Sequence, residues 1–544
     1  MTVINKAWGT WGQIRDKFTW EIPDYFNIGH DVCDKHTDRQ DEVALWYENS
    51  EGDESQYTFG EIRTLSNQLA NVLVGLGLKK GDRVAIILPQ RIETAIAHVA
   101  AYKAGAIMLP LSLLFGPDAL TYRLGDSGTK ILITDESRWT TIQAVQESLP
   151  DLEHVLICGP GDHGDRAFWP KVEQASTKFE LVQTRSEDPA LLIYTSGTTG
   201  SPKGALQAHR CFLGNLPGFE LSHNFFPQPN DRFWTPADWA WAGGLLDGLL
   251  PSWHYGVPIL AYEGGKFDPE KAFQLLEKYE IKNTFLPPTA IKMMMQVPDI
   301  KTRFKIQLRS VMSAGEAVGK EVVEWGRTNF NLDINEMWGQ TEINYLVGNC
   351  AEVMPVKPGS MGKPYPGHII EPIDEQGNIM PPNEIGELAC LSGDPVMFLE
   401  YWRKPDATRD KFIGDWCTTG DVGYKDEDGY LWFMGRKDDV ISSAGYRIGP
   451  TEIEDCLLKH PAVAQAAVIG IPDELRGNAI KAFIIPAAGH TPSEALIADL
   501  QTHVRARLAA YEYPREIEFI DELPMTTTGK VRRVELRQRE MERG

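Results

Sequence analysis

The chain has 544 residues, of which 42% are hydrophobic, so it is long enough to bury a large core and to form two or more domains. Its formal net charge of −22 argues against general electrostatic binding to nucleic acid or anionic membranes, and no uninterrupted apolar stretch reaches transmembrane length. Seven scattered cysteines without Cys-x-x-Cys spacing, and an N-terminus without an apolar signal core, predict a cytoplasmic protein with neither a disulfide framework nor a zinc site.

The first 160 residues alternate amphipathic helices with short apolar strands. Leucines and isoleucines at helical spacing predict a helix from Phe59 to Leu76, which Gly77 ends. A second helix is predicted from Ile92 to Ala104. Apolar runs predict buried strands at residues 83–89, 106–110, 130–135 and 154–158. This alternation predicts an α/β fold with largely parallel sheets that are covered on both faces.

A loop that is dense in hydroxyl groups, Tyr194 to Gly204, follows the apolar strand at residues 190–193. Its glycines let the backbone approach a ligand, while its Ser and Thr hydroxyls and Lys203 can donate to phosphate oxygens. It is not a Walker A loop, because Pro202 precedes the lysine and a glycine follows it. The composition therefore predicts a phosphate cradle rather than a flexible surface turn.

Two later segments carry polar residues that suit ligand binding, and the first of them lies just past a predicted strand. One contains Gly315-Glu316-Ala317, and the other reads Asn-Glu-Met-Trp-Gly-Gln-Thr-Glu over residues 335–342. Open α/β sheets bind their ligands at the carboxyl ends of strands. The Trp338 ring can lie on a base, Thr341 can donate to a phosphate or carboxylate oxygen, and Glu342 can hold Mg²⁺.

The last 130 residues contain a hairpin and then a new pattern of elements. Asp426 to Gly429 predicts the turn between two strands, the second of which ends at Arg436. Charged residues 437–439 follow, and residues 440–535 have strands and amphipathic helices of their own. We therefore predict an N-terminal domain of residues 1–435 and a C-terminal domain of residues 436–544.

These motifs occur in the order that is typical of adenylate-forming enzymes, which include acyl-CoA synthetases, firefly-type luciferases and adenylation domains of peptide synthetases. Residues 194–204, 335–342, 440–454 and 523–533 resemble that superfamily's motifs, and the resemblance extends from about residue 60 to residue 535. It looks closest to the medium-chain acyl-CoA synthetases, with acetyl-CoA synthetase also similar. The resemblance implies a large N-terminal domain of layered, mostly parallel sheets with helices. It also implies a small α+β C-terminal domain that rotates about a hinge at Asp438.

The resemblance also implies roles for individual residues. Catalysis falls on Lys530, Thr341 and Glu342, and Mg²⁺ binding falls on Glu342 and Thr198. The implied ATP or AMP contacts are Thr195, Ser196, Gly197, Thr198, Thr199, Lys203, Gly315, Glu316, Ala317, Glu336, Met337, Trp338, Gly339, Gln340, Asp421, Arg436 and Arg447. The implied acid pocket contains Trp241 and Gly339, and the implied CoA contacts are Ala444, Gly445, Tyr446, Arg476, Arg505, Tyr513 and Arg515.

The implied activity is ATP-dependent ligation of a carboxylic acid to CoA through an acyl-AMP, with release of pyrophosphate. Mg²⁺ is the implied cofactor, and ATP and CoA are the co-substrates. A medium-chain acid is expected, because acetyl-CoA synthetases carry a second tryptophan where this chain has Gly339. Three alternatives stay open: an aromatic or a short or branched acid, an adenylation enzyme for a carrier protein with Asp238 as an amine anchor, and a nucleotide-sensing scaffold. The sequence does not choose between monomer and homodimer.

Overall fold

The computed structural model describes residues 2–195, 202–316, 318–437, 439–443, 446–473, 477–508, 512–526 and 530–543, with the side chains of residues 442, 446, 447, 452 and 477 left out. Within these ranges the chain divides into two compact units. Of the described residues, the first unit contains 2–195, 202–369 and 392–410, and the second contains those of 370–391 and 411–543. The predicted hinge, Asp438, lies outside the described residues, and the domain boundary at residues 435–436 stays a prediction.

The strands of both units are numbered in chain order, and along most of the first unit they alternate with helices. The strands are β1 (Val43–Asn49), β2 (Glu54–Thr58), β3 (Arg83–Ile87), β4 (Ile107–Pro110), β5 (Ile131–Asp135), β6 (His154–Cys158), β7 (Pro189–Thr195), β8 (Lys203–Ala208), β9 (Phe233–Trp234), β10 (Ile259–Glu263), β11 (Asn283–Phe285), β12 (Ser310–Ala314), β13 (Ile334–Gln340), β14 (Ile343–Gly348), β15 (Lys363–Pro364), β16 (Ile370–Ile373), β17 (Gly386–Leu391), β18 (Glu400–Tyr401), β19 (Phe412–Ile413), β20 (Trp416–Lys425), β21 (Leu431–Arg436), β22 (Ile441–Ser443), β23 (Tyr446–Ile448), β24 (Val463–Asp473), β25 (Gly477–Pro486) and β26 (Glu516–Phe519).

The α-helices are α1 (Trp11–Lys17), α2 (Phe59–Gly75), α3 (Ile92–Lys103), α4 (Pro117–Ser127), α5 (Glu136–Gln146), α6 (Phe168–Gln174), α7 (His209–Ser222), α8 (Ala242–Gly244), α9 (Leu250–His254), α10 (Pro269–Lys278), α11 (Pro288–Met294), α12 (Ile300–Arg303), α13 (Lys320–Phe330), α14 (Pro405–Arg409), α15 (Pro450–Leu458), α16 (Glu494–Arg505) and α17 (Arg533–Arg543). A π-helix at Leu245–Leu249 joins α8 to α9.

Two large sheets form the first unit. The seven-stranded sheet has the order β18-β8-β7-β4-β3-β5-β6, in which β3 to β7 run parallel and β8 and β18 are antiparallel additions. The nine-stranded sheet has the order β15-β14-β13-β12-β11-β9-β10-β1-β2, and its six central strands are parallel. The predicted α/β fold with mostly parallel layered sheets is confirmed.

The second unit is built mainly from antiparallel strands. A five-stranded sheet joins β16, β17, β20 and β19, with β21 paired to β20. Strands β22 and β23 form a hairpin, and β24, β25 and β26 form a three-stranded sheet beside α15, α16 and α17. A buried core that includes Ile453, Val468 and Leu500 unites these last elements.

Local sequence signals explain the predicted elements well. Helix α2 begins with a capping box, in which Thr58 accepts from the Glu61 backbone N–H, and Gly77 follows its end at φ +87°. All seven cysteines are buried, and none of them forms a disulfide within the described ranges. None of the helices in the described ranges is both long and apolar enough to cross a membrane.

Candidate active site

The predicted phosphate cradle is the connection of a β-hairpin in the seven-stranded sheet. Strands β7 and β8 pair in antiparallel fashion so that Thr195 faces Lys203, and the Thr195 hydroxyl donates to the Lys203 carbonyl at 3.3 Å. The predicted contacts Ser196, Gly197, Thr198 and Thr199 lie outside the described residues. The structure thus places the two ends of the cradle next to each other, at the end of a buried strand.

The two predicted nucleotide-binding segments of the nine-stranded sheet lie at the same sheet edge. Strands β12 and β13 are parallel neighbours, with Ala314 opposite Met337, so Gly315 and Thr341 follow adjacent carboxyl ends. Gly315 has φ +94°, a conformation that glycine adopts without steric cost. The predicted contact Ala317 lies outside the described residues. The predicted strand-end site is therefore assembled from segments about 25 residues apart in the chain.

Two of the predicted acidic contacts at this edge already have partners in the protein. Both carboxylate oxygens of Glu316 accept from the Thr289 hydroxyl, at 3.1 and 3.2 Å. Glu336 is buried and accepts from the Val318 backbone N–H at 3.3 Å. Met337 is buried beside it, whereas Trp338 and Gln340 are half-buried. Glu336 therefore holds the loop that follows Gly315, a supporting role that the sequence did not reveal.

The turn that carries Thr341 and Glu342 is held from the other sheet. The buried Gln207 side chain on β8 donates to the Thr341 carbonyl at 2.5 Å. The Tyr401 hydroxyl on β18 donates to Glu342 Oε1 at 2.5 Å. Neither Gln207 nor Tyr401 stood out in the sequence, because each lies far from the turn along the chain. Their hydrogen bonds place the predicted catalytic pair at the junction of the two sheets.

The predicted acid-pocket residue Trp241 precedes α8 and is partly buried. Its ring packs edge-on against Phe115, with the ring centroids 5.9 Å apart. Nearby, the Asp238 carboxylate accepts from the Ala240 backbone N–H at 3.0 Å, and burial raises the pKa of Asp238 to about 6. This carboxylate therefore stabilises its own turn, which favours a structural role for Asp238 over an amine anchor.

Gly339 is needed by the backbone at this place. A Cβ at residue 339 would lie 2.6 Å from the Tyr345 backbone nitrogen, because β14 returns close to β13 at a register shift. We expected the missing side chain of Gly339 to leave room for the acid. That expectation is wrong for the direction in which a Cβ would point, because the backbone of β14 already occupies this space. The part of Gly339 in the acid pocket stays a prediction.

A buried polar pair involves β14, the strand that follows the turn with Thr341 and Glu342. Asn344 Nδ2 donates to Asp247 Oδ1 at 2.5 Å, and both residues are buried. Asp247 sits in the π-helix, an irregularity that is often found near functional sites. Burial raises the pKa of Asp247 to about 8. Sequence inspection missed this pair, since an isolated aspartate in an apolar segment has no distinctive spacing.

In the second unit, two predicted nucleotide contacts form an ion pair. Asp421 on β20 and Arg436 on β21 are cross-strand neighbours, and Arg436 Nη1 lies 2.8 Å from Asp421 Oδ1. The same nitrogen donates to the Thr419 carbonyl at 3.2 Å. The predicted hairpin turn joins these strands, with the Asp426 backbone N–H donating to the Tyr430 carbonyl. The pairing fixes both side chains on one face of the sheet.

The predicted catalytic and CoA residues of the C-terminal part are described only in part. Lys530 is exposed, and its backbone N–H donates to the Thr526 hydroxyl at 3.0 Å. The guanidinium groups of Arg505 and Arg515 both lie over the Tyr513 ring, 3.8 and 5.0 Å from its centroid. Ala444, Gly445 and Arg476 lie outside the described residues, as do the side chains of Tyr446 and Arg447. Three of the seven predicted CoA contacts are thus brought together.

Comparison with family models identifies two matching segments. Residues 34–402 match the model described as AMP-binding enzyme, and residues 452–530 match the model described as AMP-binding enzyme C-terminal domain. Together these segments include the phosphate hairpin, the strand-end site and Lys530.

Similar proteins of known sequence or structure match over almost the whole chain. The mitochondrial acyl-coenzyme A synthetase ACSM3 of Rattus norvegicus is 36% identical, covering 99% of this chain and 95% of its own length. The acetyl-coenzyme A synthetase of Bacillus subtilis (strain 168) is 37% identical, with 93% and 89% covered. The crystal structure of the anthranilate CoA ligase AuaEII in complex with anthranoyl-AMP superimposes with a TM-score of 0.87 at 30% identity, and 96% and 98% of the two chains are covered.

Proposed function

This chain belongs to the AMP-binding enzyme family, and from that premise we propose how its residues carry out the reaction of an AMP-forming acid:CoA ligase. The enzyme joins a carboxylic acid to ATP, giving an acyl-AMP and pyrophosphate, and the CoA thiol then displaces AMP to give the acyl-CoA. The observation that carries the residue assignment is the position of Gly315 and Thr341–Glu342 after adjacent parallel strands, beside the hairpin of the phosphate loop.

The residues around Glu342 fit a bound Mg²⁺ ion. Glu342 supplies a carboxylate, the sequence of the phosphate loop supplies Ser and Thr hydroxyls, and oxygen donors of these kinds suit a hard cation. Glu342, with Thr198 as a second ligand, would hold the ion. When bound, the ion neutralises negative charge on the phosphates of ATP.

The protein's own contribution is positioning and charge stabilisation. Thr341 is proposed to orient the reacting oxygens through its hydroxyl, while the Thr195 to Lys203 hairpin holds the phosphates. Lys530 is proposed to stabilise the negative charge that develops during adenylation, and Asp421 to accept from the ribose hydroxyls. These are preorganised electrostatic contacts, which supply most of the rate enhancement in reactions of this kind.

We propose a medium-chain acid as the substrate. The support is the similarity to acyl-coenzyme A synthetases such as ACSM3, together with the resemblance of the C-terminal motifs to medium-chain enzymes. Anthranilate, the acid of the similar CoA ligase AuaEII, makes an aromatic acid the second candidate. In either case Trp241 is proposed to border the pocket.

The direct experiment measures pyrophosphate release with a panel of acids from acetate to dodecanoate, with benzoate and branched acids added. The proposal predicts pyrophosphate release that depends on the acid, with a maximum at six to ten carbons, and an acyl-CoA of the expected mass. Burial of the methylenes added over acetate would contribute about three to six kcal/mol. A maximum at acetate or benzoate would contradict the medium-chain assignment. Absence of release with every acid would contradict the ligase assignment.

A further inference from the structure

One tyrosine contacts both of the groups that the proposed function assigns to metal and phosphate. The Tyr401 hydroxyl donates to Glu342 Oε1 at 2.5 Å, and Lys203 Nζ lies 5.1 Å from the centroid of the Tyr401 ring. Tyr401 and Glu342 are both buried, with 4% and 8% of their surfaces exposed. All three residues belong to the first unit.

The backbone fixes this tyrosine firmly between the two sheets. On one side, β18 pairs with β8 so that Tyr401 faces Ala205, and the Trp402 N–H donates to the Gly204 carbonyl at 2.7 Å. On the other side, the Phe398 N–H donates to the Glu342 carbonyl at 2.8 Å. The strand that carries Tyr401 therefore connects the end of the phosphate hairpin to the turn after β13.

These contacts have a simple physical effect. The phenol occupies one oxygen of the Glu342 carboxylate, which orients the other oxygen and restricts the side-chain rotation that metal binding would otherwise have to remove. The ring attracts the Lys203 ammonium through its quadrupole. One side chain thus holds an acidic metal ligand and a basic phosphate contact in a fixed relation.

We propose that Tyr401 is a positioning residue that orients Glu342 for the metal ion and Lys203 for the phosphates of ATP, an inference that rests on the proposed function. Nothing in the motifs assigned to this chain gives Tyr401 a role. It does not contact the reacting atoms in the proposal. It acts by fixing Glu342, which would hold the metal ion, and Lys203, which would contact the phosphates.

The test compares ATP affinity with and without metal by calorimetry, using Mn²⁺, which prefers the same oxygen ligands as Mg²⁺. The measured quantity is the ratio of the Kd for ATP in EDTA to the Kd in saturating Mn²⁺. Tyr401→Phe keeps the ring and removes the hydroxyl. The ratio should fall about tenfold, because the loss of a residue that orients a metal ligand typically weakens metal binding by this amount. The Kd for ATP in EDTA should stay the same. Tyr401→Leu should also weaken the binding in EDTA by about two- to fivefold, because the ring is lost.

The matched control is Tyr47→Phe, which removes a tyrosine–carboxylate hydrogen bond of 2.7 Å to Glu263 elsewhere in the first unit. Its ratio should equal that of the wild type. Both constants come from the same protein, so a partly unfolded fraction affects them equally. An unchanged ratio in Tyr401→Phe, or an equal fall in Tyr47→Phe, would overturn the inference.

Glu342→Gln separates this inference from the proposed function. If the ratio is unchanged in Glu342→Gln, the metal role of Glu342 is wrong and the inference falls with it. If it falls in Glu342→Gln and not in Tyr401→Phe, only the inference is wrong. In the double variant, Tyr401→Phe should add no further loss, since its effect passes through Glu342. An additive loss would show that Tyr401 acts in another way.

Discussion

The buried Asp247 makes the stability of the first unit depend on pH in a predictable direction. Its carboxyl has a pKa of about 8 in the folded protein, against an ordinary value of 3.8. Between these values the folded protein keeps a proton that the unfolded chain releases, so the contribution of Asp247 to stability falls as pH rises. Asp247→Asn replaces this group with one that does not titrate and can still accept from Asn344.

The size of the effect follows from the shift. Each pKa unit corresponds to about 1.36 kcal/mol, so the three pH units from 5 to 8 amount to roughly 4 kcal/mol at most. We expect the free energy of unfolding of Asp247→Asn, relative to the wild type, to rise by several kcal/mol over this range. The gain should level off above pH 8, where the native carboxyl is ionised as well.

Urea unfolding at pH 5, 6, 7 and 8, followed by tryptophan fluorescence, measures this difference. Trp234, Trp239 and Trp253 are fully buried in the first unit and report its unfolding. Asp188→Asn is the control. Although burial opposes the shift, hydrogen bonds from Lys80 and a backbone N–H lower the pKa of Asp188, so this carboxylate is ionised throughout the range from pH 5 to 8. The difference in unfolding free energy between Asp188→Asn and the wild type should therefore stay constant over this range. If the difference in unfolding free energy between Asp247→Asn and the wild type does not change with pH, or falls as pH rises, Asp247 does not keep its proton in the folded protein.

Three further predictions concern the proposed active site. Lys530→Ala should slow acyl-AMP formation by about 10²-fold or more, while thioester formation from supplied acyl-AMP persists; an equal loss in both steps would contradict the role of Lys530. Gly445→Leu should abolish acyl-CoA formation and leave pyrophosphate release largely intact, and normal thioester turnover would place the CoA path elsewhere. Gly339→Trp should lower the thermal midpoint sharply, because its Cβ would lie 2.6 Å from the Tyr345 nitrogen, and a stable variant that prefers acetate would instead favour the pocket role.

The sequence predicted those features that depend on local spacing. Periodic apolar residues and caps placed helices such as α2 and α3 within a residue or two of their observed ends. The apolar run before residue 315 predicted the strand-end position of Gly315, where open α/β sheets bind their ligands.

What the sequence did not predict are contacts between residues far apart in the chain. Gln207 reaches the Thr341 carbonyl across 134 positions, and Asn344 meets Asp247 across 97. Each is an ordinary polar residue whose contact arises only when elements that are far apart in the chain pack together. The requirement for glycine at residue 339 has a more local origin, since it arises from the return of β14 beside β13 and not from any recognisable turn motif.

An AMP-forming acid:CoA ligase forms its acyl-AMP before CoA takes part. The most direct measurement is the exchange of labelled pyrophosphate into ATP in the absence of CoA, with and without hexanoate or octanoate. We predict exchange that requires the acid and needs no CoA, and that falls by about 10²-fold in Lys530→Ala. Exchange that occurs only when CoA is present, or that proceeds equally well without an acid, would contradict it.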